Sequence, residues 1–177
     1  MYEVFNKFRK VREKSYPYII AEVGGNHECS MQKAKKMINL AAAAGANAVK
    51  FQTYKADLLA SKNSPYYWNL NSEKSRNQHQ LFKKFDKFEK KNYIELKKYC
   101  TKKKVEFMST PFDSKAVNFL NPLLNVYKIA SADINNLPLL EQIASKKKPI
   151  ILSTGASSLK EIKEATKVLK KNGCPNI

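Results

Sequence analysis

The sequence predicts a parallel α/β fold, and two observations support that prediction. From residue 18 onward, short apolar runs rich in β-branched residues alternate with stretches that have helical spacing. The runs YIIAEV and PIILST are apolar at successive positions rather than at alternate ones. Strands of this kind are buried on both faces, as they are in a parallel sheet covered by helices. We therefore expect one α/β domain built from consecutive strand-and-helix units.

Five such units are expected. The predicted strands are YIIAEVG at 18–24, AVKFQTY at 48–54, VEFMSTP at 105–111, VYKIASA at 126–132 and PIILSTG at 149–155. Helical spacing follows near 30–44, 89–103, 113–120, 137–146 and 158–171. A doubly wound sheet and a (β/α)8 barrel both fit this order, and five units fall short of the eight in a barrel. The last helix ends in Lys residues and Gly173, and the residues after it should enter a sixth strand.

One connection is much longer than the others. Residues 55–88 separate the second strand from its predicted helix and contain several aromatic residues, the single Trp and His79. Long loops after strands are common places for functional residues. We interpret the segment as an active-site flap; the alternative is a disordered insertion.

The chain is strongly basic. Its 177 residues carry a formal net charge of +18, from 33 Lys and Arg against 15 Asp and Glu. Such a balance can indicate a nucleic-acid partner. Here the lysines are spread over nearly every predicted helix, without an aromatic-interleaved RNA motif or a helix-turn-helix pattern. We do not expect nucleic acid as the partner; a lysine-rich composition together with an anionic substrate is the simpler explanation.

Several classes of protein are excluded by what the sequence lacks. No apolar run approaches the ~20 residues needed to cross a bilayer, so we expect no membrane association. The N-terminus mixes aromatic and basic residues and has no apolar core ending in a cleavage site, which predicts a cytoplasmic protein. Cys29, Cys100 and Cys174 are far apart and form no metal-binding spacing. We expect them to be reduced thiols.

Polar residues recur at the predicted carboxyl ends of the strands, where parallel α/β folds have their active sites. They are Glu22, Asn26 and His27, then Lys50, Gln52 and Thr53, then Ser109 and Thr110, then Lys128, Ser131 and Asp133, and finally Ser153 and Thr154. Two of them, Lys50 and Lys128, lie inside otherwise apolar strands. A buried Lys costs several kcal/mol unless a negative charge neutralises it, so two of them in one cavity predict a phosphate or carboxylate ligand.

Hydroxyl groups complete this predicted anion site. Thr110, Ser131 and Ser153 come from three different strands and could donate hydrogen bonds to phosphate oxygens, as could backbone N–H groups at the following helices. Each residue alone has a plainer interpretation, because a single strand-end Ser or Thr is usually a helix N-cap and a strand Lys is usually paired within the protein. The recurrence of the pattern on successive strands favours the functional interpretation.

The motifs in combination resemble a known family. IIAEVGGNH, AAAAGANAVKFQTYKADLL, FMSTPFD, YKIASADINNLPLL and KPIILSTGASSLKEI are similar to the sialic acid synthase family, across roughly residues 17–177. The resemblance implies a (β/α)8 TIM-type barrel followed by a small antifreeze-like domain. Residues 1–177 would then form the N-terminal part of the barrel, its first five to six β/α units. Three further units, the antifreeze-like domain and two metal-binding His residues would lie beyond residue 177.

The resemblance also implies a reaction, the condensation of phosphoenolpyruvate with N-acetylmannosamine or a related amino sugar to give a nonulosonate, with release of phosphate. It places phosphoenolpyruvate against Lys50, Thr110, Lys128, Ser131 and Ser153. A divalent metal, Mn²⁺ or Mg²⁺, would polarise the sugar aldehyde in the complete enzyme. The same resemblance implies a homodimer. No metal ligand is expected within this chain.

The remaining implied roles concern the amino sugar and the attacking water. Glu22 matches a carboxylate that positions or deprotonates the water, although it could instead be the partner of Lys50. Gln52 matches a residue that contacts the sugar. Asp133 occupies a position where some members have Glu. Because its side chain is shorter, the identity of the acceptor sugar or its exact position in the site stays open. His27 invites a metal interpretation, but we interpret it as structural.

Two hypotheses therefore follow from the sequence. In the first, the chain is part of a catalytic nonulosonate synthase. In the second, it is a non-catalytic remnant, or an anion-binding half barrel that is completed by a second chain. A third, weaker hypothesis is a basic protein that binds nucleic acid.

Overall fold

The structure, a computed structural model, describes residues 17–177. The strands are β1 (Ile20–Gly24), β2 (Ala48–Thr53), β3 (Glu106–Pro111), β4 (Tyr127–Ile129) and β5 (Ile150–Leu152). The α-helices are α1 (Met31–Ala43), α2 (Ala56–Leu59), α3 (Gln78–Lys84), α4 (Lys90–Lys102), α5 (Ser114–Leu120), α6 (Leu137–Ala144) and α7 (Leu159–Lys171). A short 3₁₀ helix, Ser131–Asp133, follows β4. All five predicted strands and their helices are present, so the α/β prediction is confirmed.

All strand pairs in the described part of the chain are parallel. β1, β2 and β3 form one sheet in chain order, and β4 and β5 form a second. β4 lies beside β3, so the two sheets are neighbours. The register pairs Glu22 with Lys50 and Gln52 with Thr110. Because paired residues in a sheet point to the same face, these four side chains share one face.

The main core lies between the sheets and the helices. Phe51 and Phe107 are almost completely buried there, with their ring centroids 5.7 Å apart. Leu96 of α4 and Ile143 of α6 pack into the same cluster from the helix side. Burying each such side chain contributes about 1.5–3 kcal/mol relative to leaving it exposed. This layer holds the helices against one face of the strands.

Polar side chains start most of the helices. Ser30, Asp113 and Ser158 each accept a hydrogen bond from a backbone N–H in the first turn of α1, α5 and α7. In α7 the Glu161 side chain also accepts from the Ser158 N–H, which completes a capping box. These caps satisfy N–H groups that have no partner within the helix.

The opposite face of the strands has a separate, smaller apolar cluster. Ala48, Met108 and Val126 are buried there. Tyr18, Ile20 and Ile151 pack against them. This cluster, the apolar floor, lies on the face that the helices do not cover, and it joins the first three strands to the last two. The residues that follow on the same face therefore stand above an apolar base.

The long connection after β2 is folded. It contains α2 and α3, which the sequence analysis did not predict, and an antiparallel bridge joins Pro65 to Asn77. The Trp68 indole N–H donates to the Ser75 carbonyl at 3.0 Å. The disordered alternative is therefore wrong for this segment, and the flap interpretation stays a prediction.

The sequence predicted no secretory signal, no membrane-spanning segment and reduced cysteines. The expectation of no secretory signal concerns mainly residues 1–16, which lie outside the described residues. Over residues 17–177 no helix is long and apolar enough to cross a membrane. Cys29, Cys100 and Cys174 are all free thiols, as expected.

Candidate anion-binding site

The predicted site residues are brought together by the alternation of the strands. Lys50 and Gln52 follow Ala48 of the apolar floor at steps of two residues along β2, and Thr110 follows Met108 in the same way along β3. Lys128 follows Val126 into β4, and Ser153 follows Ile151 out of β5. Side chains two residues apart in a strand point to one face. The polar set therefore forms a layer directly above the apolar floor.

Lys50 and Glu22 form an ion pair at one end of this layer. Lys50 is largely buried, with 14% of its side chain exposed, whereas 46% of the Glu22 side chain is exposed. The alternative in which Glu22 serves as the partner of Lys50 is thus seen directly. It does not remove the other role, because a half-exposed carboxylate can also face a ligand.

Lys128 is held differently. Its Nζ donates to the backbone carbonyl of Ile129 at 2.5 Å, and it forms no ion pair within residues 17–177. Burial lowers the pKa of Lys128 to about 8, with a further lowering by the positive charge of Lys50 and a partial offset from Glu22. The site therefore contains one neutralised and one unneutralised lysine, and an anion would balance the second.

Ser131 and the β5–α7 loop approach each other closely. A Cβ atom added to Gly155 would lie 3.3 Å from the Ser131 hydroxyl oxygen. The backbone N–H of Ser153 donates to the Ile129 carbonyl at 3.1 Å, which keeps the ends of β4 and β5 side by side. Gly155 thus allows the hydroxyl-bearing ends of two strands to converge, a role that the sequence analysis did not assign.

Gln52 has support from the helix side. The Tyr93 hydroxyl donates to the Gln52 backbone carbonyl at 3.2 Å, and Tyr93 is 4% exposed. No local signal could have identified this contact, because Tyr93 lies 41 residues further along the chain. Tyr93 therefore holds the end of β2 from behind.

Asp133 lies in the 3₁₀ helix after β4. Its Oδ1 accepts from the Asn136 amide at 3.4 Å, whereas its Oδ2 is buried without a hydrogen-bond partner among the described residues. Burial raises the pKa of Asp133 above its usual range. An acceptor atom in this state is satisfied when a donor such as a hydroxyl group reaches it.

Some strand-end residues lie elsewhere. Thr53 and Ser109 share a hydrogen bond of 2.6 Å between their hydroxyl oxygens and are both buried against the helix layer. His27 is 3% exposed and stacks on Phe88 at 4.5 Å between ring centroids, while its Nδ1 accepts from the Cys29 N–H. Burial lowers the pKa of His27. These three residues stabilise the fold and do not face the candidate site.

The described residues do not provide a metal centre. Within residues 17–177, no group of three or more His, Cys, Asp or Glu side chains is close enough to hold a metal ion. The candidate site residues supply ionic and hydrogen-bonding groups: two lysines, three hydroxyls, an amide and two carboxylates. This set is suited to binding a phosphorylated or carboxylated anion.

The fold and the site define a class of protein: a parallel α/β protein with a candidate anion-binding site at the carboxyl ends of its strands. The sequence profile of the NeuB family matches residues 37–177. The chain belongs to the NeuB family, which confirms the resemblance seen in its motifs.

The named relatives are synthases of nonulosonic acids. An N,N'-diacetyllegionaminic acid synthase from Campylobacter jejuni is 44% identical over 159 residues, covering 88% of this chain and 47% of that protein. The human N-acetylneuraminate-9-phosphate synthase is 32% identical over 157 residues, covering 86% of this chain and 43% of that protein. The chain therefore spans less than half the length of these relatives.

Solved structures agree. The N-acetylneuraminic acid synthetase from Leptospira borgpetersenii, crystallised with citrate, superposes with a TM-score of 0.75 at 36% identity, covering 90% of this chain and 52% of that chain. A truncated 3-deoxy-D-arabino-heptulosonate 7-phosphate synthase from Thermotoga maritima superposes with a TM-score of 0.63 at 12% identity. The second likeness concerns the fold alone.

Proposed function

We propose that this chain is the N-terminal part of a TIM-barrel synthase domain that condenses phosphoenolpyruvate with an N-acylated amino sugar and releases phosphate. The observation that carries the proposal is the pair of strand lysines, Lys50 and Lys128, on one face above the apolar floor. Membership of the NeuB family supports the same reaction class.

The partial barrel is supported by the order of the strands. β1, β2 and β3 pair in chain order, β4 lies beside β3, and β5 pairs with β4. Beyond β5, the Ile150 N–H donates to the Asn176 carbonyl at 2.9 Å, which is how the first residue pair of a further parallel strand would begin. Under the proposal, three more units close this sequence into a barrel of eight, and an antifreeze-like domain follows.

Five residues would hold phosphoenolpyruvate. Lys50 and Lys128 supply positive charge for its phosphate and carboxylate, and Thr110, Ser131 and Ser153 supply hydroxyl donors. Hydrogen bonds to charged groups contribute about 1.5–3 kcal/mol each. The lysines would keep the negative charge neutralised throughout the reaction, so their contribution extends to the transition state.

Three residues would serve the acceptor sugar and the water. Gln52 contacts the sugar from the same face as Lys50, and Asp133 accepts from a sugar hydroxyl through its unpartnered Oδ2. Because that oxygen is buried, the segment Ser131–Asp133 has to shift when the sugar binds. Glu22, which is half exposed, accepts a proton from the attacking water or orients it.

The bonds change in three steps. The methylene carbon of phosphoenolpyruvate forms a bond to the aldehyde carbon of the open-chain sugar; the aldehyde oxygen takes the C=O electron pair and a proton to become a hydroxyl group, and the enol carbon of phosphoenolpyruvate becomes cationic. Water adds to that carbon and loses a proton towards Glu22. The tetrahedral intermediate then breaks its C–O bond to phosphate, its new hydroxyl loses a proton and becomes the keto oxygen, and phosphate leaves between Lys50 and Lys128.

The metal, the assembly and the location belong to the same proposal. A divalent Mn²⁺ or Mg²⁺ is expected in the complete enzyme, but residues 17–177 contain no ligand cluster for it. A cytoplasmic homodimer is expected as well. The non-catalytic alternative is not favoured, because the named synthases retain 32–44% identity to this chain over most of its length.

A phosphate-release assay tests the proposal. The complete reading frame is expressed and supplied with phosphoenolpyruvate, a divalent metal and either N-acetylmannosamine or the amino-sugar precursor of N,N'-diacetyllegionaminic acid. We expect release of phosphate with one of the sugars and none without a sugar.

The role of Lys50 has its own test. In the complete enzyme, Lys50→Ala should lower kcat/KM by two orders of magnitude or more, on the order of 3 kcal/mol, because it removes charge that the transition state needs. Lys36→Ala, on the exposed side of α1, is the matched control and should leave kcat/KM unchanged. Unaltered kinetics in Lys50→Ala would contradict the assignment.

A further inference from the structure

A cavity lies on the opposite side of β2 from the candidate anion site. It has a volume of about 160 Å³ and is enclosed by the end of β2, α2, the start of α4 and α5. The aromatic rings of Tyr54, Phe88, Tyr93 and Phe119 line it. No role in the proposed reaction uses this space.

The walls of this cavity, the aromatic cavity, are suited to an apolar ring. Phe88 and Tyr93 meet edge to face with centroids 6.0 Å apart, and Tyr93 and Phe119 lie 5.6 Å apart. The Tyr93 hydroxyl is already bonded to the Gln52 carbonyl. Because that hydroxyl has its partner, an apolar guest leaves it satisfied.

The cavity lining carries a net positive charge, from Lys55, Lys90 and Lys115 against Glu89 and Asp113. Lys90 and Lys115 are both exposed at the rim, and neither forms an ion pair within the described part of the chain. Of the two carboxylates in the lining, Glu89 pairs with Lys55 at 2.6 Å, whereas Asp113 accepts from the Ala116 N–H at 2.8 Å and keeps its negative charge. An anionic group at the mouth would therefore meet two available ammonium groups.

We propose that the aromatic cavity is a binding site for a small monocyclic aromatic carboxylate, with the ring packed against Phe88, Tyr93 and Phe119 and the carboxylate at the mouth near Lys90 and Lys115. The size agrees, because an apolar cavity of about 150 Å³ accommodates benzene. The apolar walls select the ring, and the two lysines select the charge.

An occupant of this site contacts the support of the candidate anion site. Thr53 and Tyr93 line the aromatic cavity, and Tyr93 holds the Gln52 carbonyl. A ligand that changes the position of Tyr93 would change the end of β2. The proposal does not rest on the synthase function, since binding can be measured without turnover.

Benzoate is the probe for the test, with benzyl alcohol as its neutral counterpart. The protein from the complete reading frame is titrated by ligand-observed NMR in the presence of saturating inorganic phosphate, which prevents benzoate from occupying the Lys50 and Lys128 site. We expect saturable benzoate binding, at least fivefold tighter than that of benzyl alcohol. Absence of saturable binding, or equal affinity for the two probes, would overturn the proposal.

Two variants locate the binding. Ala116 is 1% exposed and lines the cavity. The larger side chain in Ala116→Leu should fill part of the cavity and reduce benzoate affinity at least tenfold. The double variant Lys90→Gln/Lys115→Gln leaves the core unchanged and should remove the preference for benzoate over benzyl alcohol. Lys36→Gln is the control for net charge. If the double variant keeps the full preference, the proposed position of the carboxylate is wrong.

Discussion

Lys50 and Lys128 occupy equivalent places in two strands but have different electrostatic surroundings. Lys50 is neutralised by Glu22, whereas Lys128 has only the carbonyl of Ile129. A half-buried ammonium group without a carboxylate raises the free energy of the folded state, because its hydration is lost without a compensating charge. Residues retained at such a cost are commonly functional.

A substitution of Lys128 should therefore stabilise the protein. Lys128→Met keeps the aliphatic stem and removes the charge, and we expect the free energy of unfolding to rise by about 1–2 kcal/mol at pH 7. This corresponds to an increase in Tm of about 2–8 °C. Thermal unfolding of the complete protein measures it.

The pH dependence of this gain follows from the direction of the pKa shift. Because the folded-state pKa is lowered to about 8, the cost of the charge is fully present below pH 8 and disappears as the pH rises through the unfolded-state value of 10.5. The gain from Lys128→Met should shrink over that range. Lys36→Met, at an exposed position, is the control. A loss of stability in Lys128→Met at pH 7 would contradict the interpretation.

Anion affinity should also depend on Lys128. Above pH 8 the free protein loses the proton of Lys128, whereas a phosphate ester, with its second pKa near 6, is already fully ionised. Binding then requires uptake of a proton, so the Kd for phosphoenolpyruvate should rise about tenfold per pH unit above 8. Calorimetric titrations at pH 7 and pH 9 measure this. In Lys128→Met the rise should be absent, and a rise that persists there would assign it to another group.

At the level of elements, the connection after β2 is held by a compact set of charges. Asp57 at the start of α2 accepts from His79 and Lys83 of α3, at 2.7 and 2.8 Å. These hydrogen bonds lower the pKa of Asp57 to about 2. Asp86, which is 7% exposed, accepts from the Ala56 N–H at 3.1 Å and pairs with Lys83 at 3.3 Å. The two short helices are thereby tied to each other.

Loss of the buried carboxylate should weaken this tie. Asp86→Ala leaves the Ala56 N–H without an acceptor, which costs about 1–3 kcal/mol when the donor is buried. Amide hydrogen exchange of residues 55–88, together with the free energy of global unfolding, measures the effect. Asp86→Asn keeps an acceptor oxygen and should recover most of the loss, whereas the exposed Asp57→Ala should change global stability little. Equal effects of Asp86→Ala and Asp86→Asn would show that charge, rather than the hydrogen bond, matters.

At the scale of the whole molecule, the sheets have two outer edges, at β1 and at β5. The β5 edge pairs only with the Asn176 carbonyl in the described residues, and the apolar floor lies on the face that the helices leave uncovered. Open parallel edges promote association with other chains. In a closed barrel, further strands would cover both edges.

We therefore expect a segment limited to residues 1–177 to self-associate, whereas the protein from the complete reading frame should form a defined oligomer. Light scattering coupled to gel filtration distinguishes the two. In the same segment, Asn176→Pro should leave the contact with Ile150 intact, because only the backbone carbonyl of Asn176 takes part in it. A monodisperse monomeric segment would contradict the open-edge interpretation.

The sequence by itself predicted the five strand-and-helix units and named the residues of the candidate site. Apolar runs located all five strands, and the strand lysines indicated an anion before any relative was considered. Such local signals are readable because strand and helix periodicities act over a few residues. The predicted strands at 126–132 and 149–155 were too long, since β4 ends at Ile129 and β5 at Leu152. The short helices α2 and α3 were missed because they lack an extended apolar period.

Only the tertiary structure decided which strand-end residues face the site and which face the helices. Thr53 and Ser109 are one residue out of phase with Gln52 and Thr110, and that single step places them on the opposite face. The contact between Tyr93 and Gln52 joins residues 41 positions apart. The aromatic cavity likewise brings together residues from β2, α4 and α5. Contacts of that range depend on how the layers pack together, and packing is a property of the whole fold rather than of any local stretch of sequence.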